Sequence, residues 1–251
     1  MLGKRVDILG IHVDSLTMKE AVKRIESFIE QKKSVLIATA NAEMIMRATY
    51  DCELRDILNN AALVVPDGAG TVWAAHHLGY AMPERVAGYD LAQELMREAP
   101  RKGYRFFFFG SAPGVAECAK KKAEKLYPGI SVVGIRNGYF SAADEPEILR
   151  EIKEAAPDVL LVALGVPKQE KWLATHMEQL SIPVSIGVGG TLDVMAGVMK
   201  RAPRWMQKAK LEWLFRGALQ PKRAGRLLAL PRFVFKVMAY KKSRQRKNSR
   251  L

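Results

Sequence analysis

With 251 residues, 49% of them hydrophobic, the chain can bury a sizeable core, which excludes a wholly disordered protein. Its two cysteines, Cys52 and Cys118, show no paired spacing; this excludes a disulfide framework or a zinc site, fits a reducing compartment, and reads as two packing residues in helices. The formal charge of +14 is unevenly spread: residues 200–251 carry 17 Lys and Arg against a single acid, Glu212, whereas residues 1–199 hold 23 basic and 25 acidic residues.

A near-neutral body with a basic tail predicts a polyanionic partner, whether nucleic acid, anionic lipid or a phosphorylated substrate. No run approaches the roughly 18–20 apolar residues of a spanning helix, and residues 1–10 lack the apolar centre of a signal peptide. The expectation is a cytoplasmic protein.

In chain order, short runs rich in Val, Ile, Leu and Phe predict strands at 5–9, 34–39, 62–65, 104–109, 131–135, 158–164 and 183–188. "RFFFFG" and "DVLLVALG" are apolar without alternation, as in strands covered on both faces of a parallel sheet. Helices fall between them. Thr17 and Glu20 form a capping box that opens a helix over 18–32, Pro113 begins another after "GSAPG", and "ADEPEILREIKEAAP" supplies a third. The pattern is α/β: a Rossmann-like layered fold with a mostly parallel sheet covered by helices, plus a C-terminal helical appendage.

From about residue 202 only helical patterns remain, broken by Pro203, Pro221 and Pro231. "LEWLFRGALQPKRAGRLLALPRFVFKVMAY" mixes aromatics and aliphatics with recurring Arg and Lys, the composition of an interfacial amphipathic helix pair. Its apolar face is expected to include Phe233 and Phe235. The division that follows is an α/β catalytic body over 1–199, a basic amphipathic appendage over 200–240, and a polar tail over 241–251 expected to be disordered.

Ligands of such sheets bind beyond the carboxyl ends of the strands. Five segments lie there: "ATAN" (38–41), "PDGAG" (66–70), "FGSAPG" (109–114), "LGVPKQE" (164–170) and "GVGGTLD" (187–193). Their glycines and hydrogen-bonding groups suit a nucleotide, although none matches the dinucleotide fingerprint. Asp193 follows Gly189 and Gly190, where it is placed either to accept from a ribose or base edge or simply to complement a helix dipole. Singly, Asn41 reads as a helix cap, Arg85 as a surface charge, Asp67 as a turn residue and Gln169 as a solvent-facing helix residue. Together with Thr39, they make a general base with polar positioners and a phosphate partner. The four histidines show no ligand spacing and no D-x-D pair is present, so no metal is expected; Arg216, Arg223 and Arg226 then stand as cations for a leaving diphosphate.

The segments "TANAEM", "VVPDGAG", "ERVAGYDL", "FFFFGSAPG", "NGYF", "LGVPKQEKW", "GVGGTLDVMAG", "KRAPRWMQ" and "LEWLFR…QPKR", in this order from about residue 5 to residue 226, resemble the WecG/TagA/CpsF family of bacterial glycosyltransferases. The resemblance, strongest to the TagA type, implies transfer of N-acetylmannosamine from UDP-N-acetylmannosamine to undecaprenyl-diphosphate-linked N-acetylglucosamine in wall teichoic acid synthesis; the WecG type moves the mannosaminuronic acid sugar instead. It implies Asp67 as base with Thr39, Asn41, Arg85 and Gln169 around it, and UDP along Gly110, Tyr139, Gly189 and Asp193. It also implies that Arg216, Arg223 and Arg226 close over the site at an anionic inner-leaflet membrane, and that the protein forms trimers. No metal or other cofactor and no nucleic acid is implied, and Leu192 stands where the family pattern carries Phe. A non-catalytic nucleotide- or polyanion-binding protein whose basic tail grips phosphates, as in a nucleic acid, and a UDP-sugar hydrolase are the competing expectations.

Overall fold

A computed structural model describes residues 4–203, 205–206, 212, 215 and 229–248. The chain opens on an antiparallel hairpin, β1 (Arg5–Ile8) and β2 (Ile11–Asp14). The sequence reading missed β2, because the turn is Leu9-Gly10 rather than a familiar Asn-Gly. Both turn residues nonetheless have positive φ, +56° and +86°, as a two-residue hairpin of this hand requires.

The main sheet contains β3 (Val35–Ala40), β4 (Leu63–Pro66), β5 (Arg105–Gly110), β6 (Ser131–Arg136), β7 (Val159–Ala163) and β8 (Val184–Gly187). Its strand order is β4-β3-β8-β7-β5-β6, and every pairing is parallel. Phe106 and Phe108 are buried on one face and Phe107 and Phe109 on the other, so the unbroken apolar run belongs to a strand with a core on each side.

One core is closed by α1 (Met18–Glu30), α5 (Gly88–Lys102), α6 (Val115–Leu126) and α9 (Thr191–Ala196). The other takes α2 (Ala42–Ala48), α3 (Cys52–Asn60), α4 (Ala69–His77), α7 (Glu145–Ala155), α8 (Lys168–Leu180) and part of α10 (Ala229–Asn248). The Thr17/Glu20 capping box forms as the sequence predicts. Cys52 and Cys118 do not pack inside; both are exposed, because each occupies the outward side of its helix.

The hairpin is fastened to β4 by a buried carboxylate. Asp14 accepts the Val64 N–H at 2.8 Å through Oδ2 and pairs with Arg24 at 2.9 Å and Arg5 at 3.3 Å. Arg5 also donates to the carbonyls of Ala61 and Ala62. Charges and backbone groups just before β4 are thereby satisfied together, which fixes the strand whose end carries Asp67.

α10 corrects the expectation for the appendage. Phe233 is fully buried, while Phe235 is 72% exposed. Two residues along a helix are about 200° apart, so both side chains cannot share one apolar face. Phe233 and Val237 pack into the body, Lys236 donates to Thr49 Oγ1 at 2.6 Å, and Tyr240 donates to Asp7 Oδ2 at 2.8 Å. The helix continues past residue 240 to Asn248, since Lys, Arg and Gln are good helix formers.

Candidate active site

The carboxyl ends of the parallel strands form one rim, and the connections that follow neighbouring strands alternate between the two faces from β3 across to β6. After β5 the chain enters α6 on one face, and after the neighbouring β7 it enters α8 on the opposite face. Similarly, α2 after β3 and α9 after β8 diverge to opposite faces. Crevices open where adjacent connections diverge, and such positions are where open α/β sheets hold ligands.

Thr39, Asn41, Asp67 and the loop carrying Arg85 meet at the β4–β3 end of this rim. The Asp67 N–H donates to the Ala40 carbonyl at 3.0 Å, and Thr71 Oγ1 donates to the carbonyls of Ala40 and Asp67 at 3.0 and 3.1 Å. The Val86 N–H reaches the Pro66 carbonyl at 3.0 Å, bringing the loop beside Asp67. Asp67 itself is half-buried. Asn41 caps α2, its Oδ1 accepting from the Met44 N–H at 3.0 Å, and a Cβ placed on Gly68 would sit 3.8 Å from Asn41 Cβ. The cap reading of Asn41 therefore holds, and the same residue stands beside Gly68, the residue that follows the acid. Thr39 is buried and donates to the Gly187 carbonyl at 2.9 Å.

Arg85 is paired. Its Nη1 lies 3.1 Å from Glu212, the single acid of the basic segment, and its Nη2 lies 4.0 Å from Asp90. Asp90 is held by both Arg201 Nη atoms at 2.7 Å, with that guanidinium 4.7 Å from the centre of the Tyr89 ring. Arg201 Nε is also 3.9 Å from Glu212. Two cations and two anions thus alternate where the basic segment meets the body. Arg201 was not singled out from the sequence, although the segment "KRAPRW" contains it. Arg216, Arg223 and Arg226 lie outside the described residues.

The second crevice is built by close backbone approach. Gly110 has φ +128°, and a Cβ on it would fall 2.4 Å from the Ala163 carbonyl oxygen, so a side chain there would displace β7. The next residue, Ser111, donates its N–H to that carbonyl at 2.9 Å and its Oγ to Asp193 Oδ2 at 3.2 Å. Ser111 is a non-glycine residue at φ +59°, an uncommon conformation held by these neighbours. Tyr139 is 75% exposed, its N–H bonded to Asn137 Oδ1 at 3.0 Å.

Gln169 is not a solvent-facing residue: it is 1% exposed and lies between the ends of β7 and β8. Its Oε1 accepts from Gly165 at 3.2 Å and from Gly189 at 3.1 Å, while its Nε2 donates to Glu170 Oε1 at 2.7 Å. The Gly189 N–H is thereby committed to Gln169. Glu170, also 1% exposed, stands beside Gln169 in "LGVPKQE". The helical spacing of Gln169 and Glu170 to Trp172 and Leu173 marks the same buried face and was the signal available.

Among the described residues no three His, Cys, Asp or Glu side chains converge as metal ligands, and no helix is long and apolar enough to cross a membrane. A cavity of about 460 Å³ lined by Leu9, Thr49, Arg55, Lys236 and Tyr240 lies at the C-terminal end of α2, opposite the Asn41 end, and is separate from the rim.

A glycine-lined rim on a parallel sheet, with a carboxylate at one strand end and paired arginines beside it, places this chain among the open α/β proteins whose ligand site lies beyond the carboxyl ends of the strands. The model of the glycosyl transferase WecG/TagA/CpsF family matches residues 6–247, and the chain belongs to that family. It is 36% identical over 240 residues to the N-acetylglucosaminyldiphosphoundecaprenol N-acetyl-beta-D-mannosaminyltransferase of Staphylococcus aureus strain NCTC 8325 / PS 47, covering 95% of this chain and 94% of that protein. The protein of the same description from strain MRSA252 is 35% identical over the same shares.

Proposed function

We propose that this chain is an inverting glycosyltransferase that moves N-acetylmannosamine from UDP-N-acetylmannosamine to the C4 hydroxyl of undecaprenyl-diphosphate-N-acetylglucosamine, in assembly of the wall teichoic acid linkage unit. The donor and acceptor follow the description carried by the Staphylococcus aureus relatives. The observation that carries the mechanism is Asp67 at the end of β4, its backbone pinned to β3, with Asn41 and the Arg85 loop against it.

In this reading UDP lies along Gly110, Tyr139, Gly189 and Asp193, and the sugar points toward Asp67. The Asp67 carboxylate takes the proton of the acceptor C4 hydroxyl as that oxygen attacks the anomeric carbon from the side opposite UDP. An α-linked donor gives a β product. Arg85 faces the diphosphate once Glu212 yields it, and Arg216, Arg223 and Arg226 add positive charge as UDP leaves. No metal is assigned a role. Arg232, Phe235, Met238 and Lys242 lie on the exposed side of α10, a basic and apolar surface suited to an anionic bilayer, which supports a peripheral position on the inner face of the cell membrane.

The test is incubation with UDP-N-acetylmannosamine and a short-chain lipid-diphosphate N-acetylglucosamine, followed by mass analysis, with UDP-N-acetylmannosaminuronic acid run in parallel. Product from the first donor supports the reading, and product from the uronic acid alone replaces the sugar assignment. Asp67→Asn is expected to abolish transfer while UDP still binds; a variant with near-normal turnover removes Asp67 as base.

A further inference from the structure

The carboxamide of Gln169 has a single satisfactory orientation. Two backbone donors, the N–H groups of Gly165 and Gly189, converge on its Oε1 at 3.2 and 3.1 Å. Turning the group over would set its NH2 against both of them, donor to donor. With Oε1 so fixed, Nε2 must find an acceptor in a place closed to water, and it finds Glu170 Oε1 at 2.7 Å. A Cβ on Gly187 would lie 2.6 Å from Gln169 Nε2 and 3.0 Å from Glu170 Oε1, so the pair rests directly on the last residue of β8. The carbonyl of Gly187 in turn takes the Thr39 hydroxyl at 2.9 Å. One chain of contacts therefore joins the ends of β7, β8 and β3, spanning the rim between Asp67 and the Ser111–Asp193 pair.

Glu170 is an expensive residue in this position. It is buried, and its second oxygen, Oε2, has no hydrogen-bond partner. Burial, opposed only in part by the hydrogen bonds from Gln169 and from its own backbone N–H, pushes its carboxyl up to about 7. Its neighbours Trp172 and Leu173 are buried apolar residues. An aliphatic side chain would remove the desolvation cost but leave Gln169 Nε2 without an acceptor. The carboxyl is therefore accounted for by what its Oε1 does to Gln169 rather than by packing.

We propose that Glu170 is a positioning residue for the nucleotide donor: by accepting from Gln169 it locks the carboxamide that fastens the glycine loops after β7 and β8, and so shapes the edge against which UDP lies. The inference rests on the donor placement proposed above, and it concerns affinity for UDP rather than the chemical step.

The experiment uses the full chain and reads UDP binding by titration calorimetry, with donor KM and kcat measured alongside. Glu170→Ala is expected to weaken UDP about tenfold, the order expected when a buried donor loses its acceptor, and to raise donor KM more than it lowers kcat. Glu170→Gln, whose amide oxygen still accepts, is expected to stay within about threefold of the parent protein on the same scale. In a Gln169→Ala background, Glu170→Ala is expected to add nothing, because the partner it acts through is gone. If Glu170→Ala does not fold, Glu170→Leu fills the volume without offering an acceptor and carries the same expectation. Unchanged UDP affinity in the folded Ala or Leu variant, or full additivity with Gln169→Ala, overturns the proposal. UDP binding is read without turnover, so an error in the sugar or acceptor leaves this comparison intact.

Discussion

Replacing Glu170 by Gln exchanges a buried titratable group for a neutral one of nearly the same shape, and its effect on stability must depend on pH. The Glu170 carboxyl ionises near 7 in the folded protein, against an ordinary value of 4.5, chiefly because burial penalises the charged form. Between those two values the folded protein holds a proton that the unfolded chain has released. Unfolding free energy therefore falls as pH rises through this window; the penalty is absent below 4.5 and complete above 7. A separation of about 2.5 units corresponds to about 3 kcal/mol at full development, of which roughly 2–3 kcal/mol appears between pH 5 and pH 8.

The Gln variant does not titrate, so its stability relative to the parent protein should improve by that amount across the same interval. Any fixed cost of the new amide NH2 cancels in the difference. Thermal unfolding followed by circular dichroism, at pH 5 and pH 8 and equal ionic strength, should show the gap between the two melting temperatures shifting by about 5–10 °C in favour of Gln at the higher pH. Parallel pH profiles for the two proteins would refute the reasoning, since they would mean that this carboxyl titrates alike folded and unfolded.

Phe233→Ala should destabilise the protein by about 3–5 kcal/mol in urea denaturation, because a fully buried ring between α10 and the body is lost. Phe235→Ser should leave stability within about 0.5 kcal/mol yet reduce sedimentation with anionic liposomes, as expected of a side chain on the outer face of α10. Arg201→Lys should cost about 1 kcal/mol in the same unfolding assay, since a single ammonium cannot reproduce the two parallel hydrogen bonds to Asp90 and water already screens part of that pair. Gly110→Ala should lower UDP affinity and stability together, because the new Cβ meets the Ala163 carbonyl at a distance that only movement of β7 can relieve; a variant with parental values on both would show that the strand ends yield freely.

The pattern of short apolar runs and intervening helices was enough to fix the α/β class, the parallel sheet and the rim, because strands covered on both faces lose the alternation of half-exposed ones. That Thr39, Asn41 and Asp67 lie along one edge was also legible, since each stands at or just past the end of β3 or β4 and adjacent parallel strands place their ends side by side. Local chemistry alone decided the Thr17 capping box and the Asn41 cap. What remained hidden depended on which partner a side chain met far along the chain. Arg85 reads as a lone surface cation until Glu212 is brought to it across 127 positions, and Gln169 reads as a solvent-facing helix residue until the amides of Gly165 and Gly189 close on its oxygen. Phe233 and Phe235 are equally apolar letters, and only the packing of α10 against α2 and α4 assigns one to the core and the other to the surface. Composition and periodicity report what a residue prefers; burial, pairing and the perturbed titration of Glu170 arise from contacts that exist only once the distant segments have met.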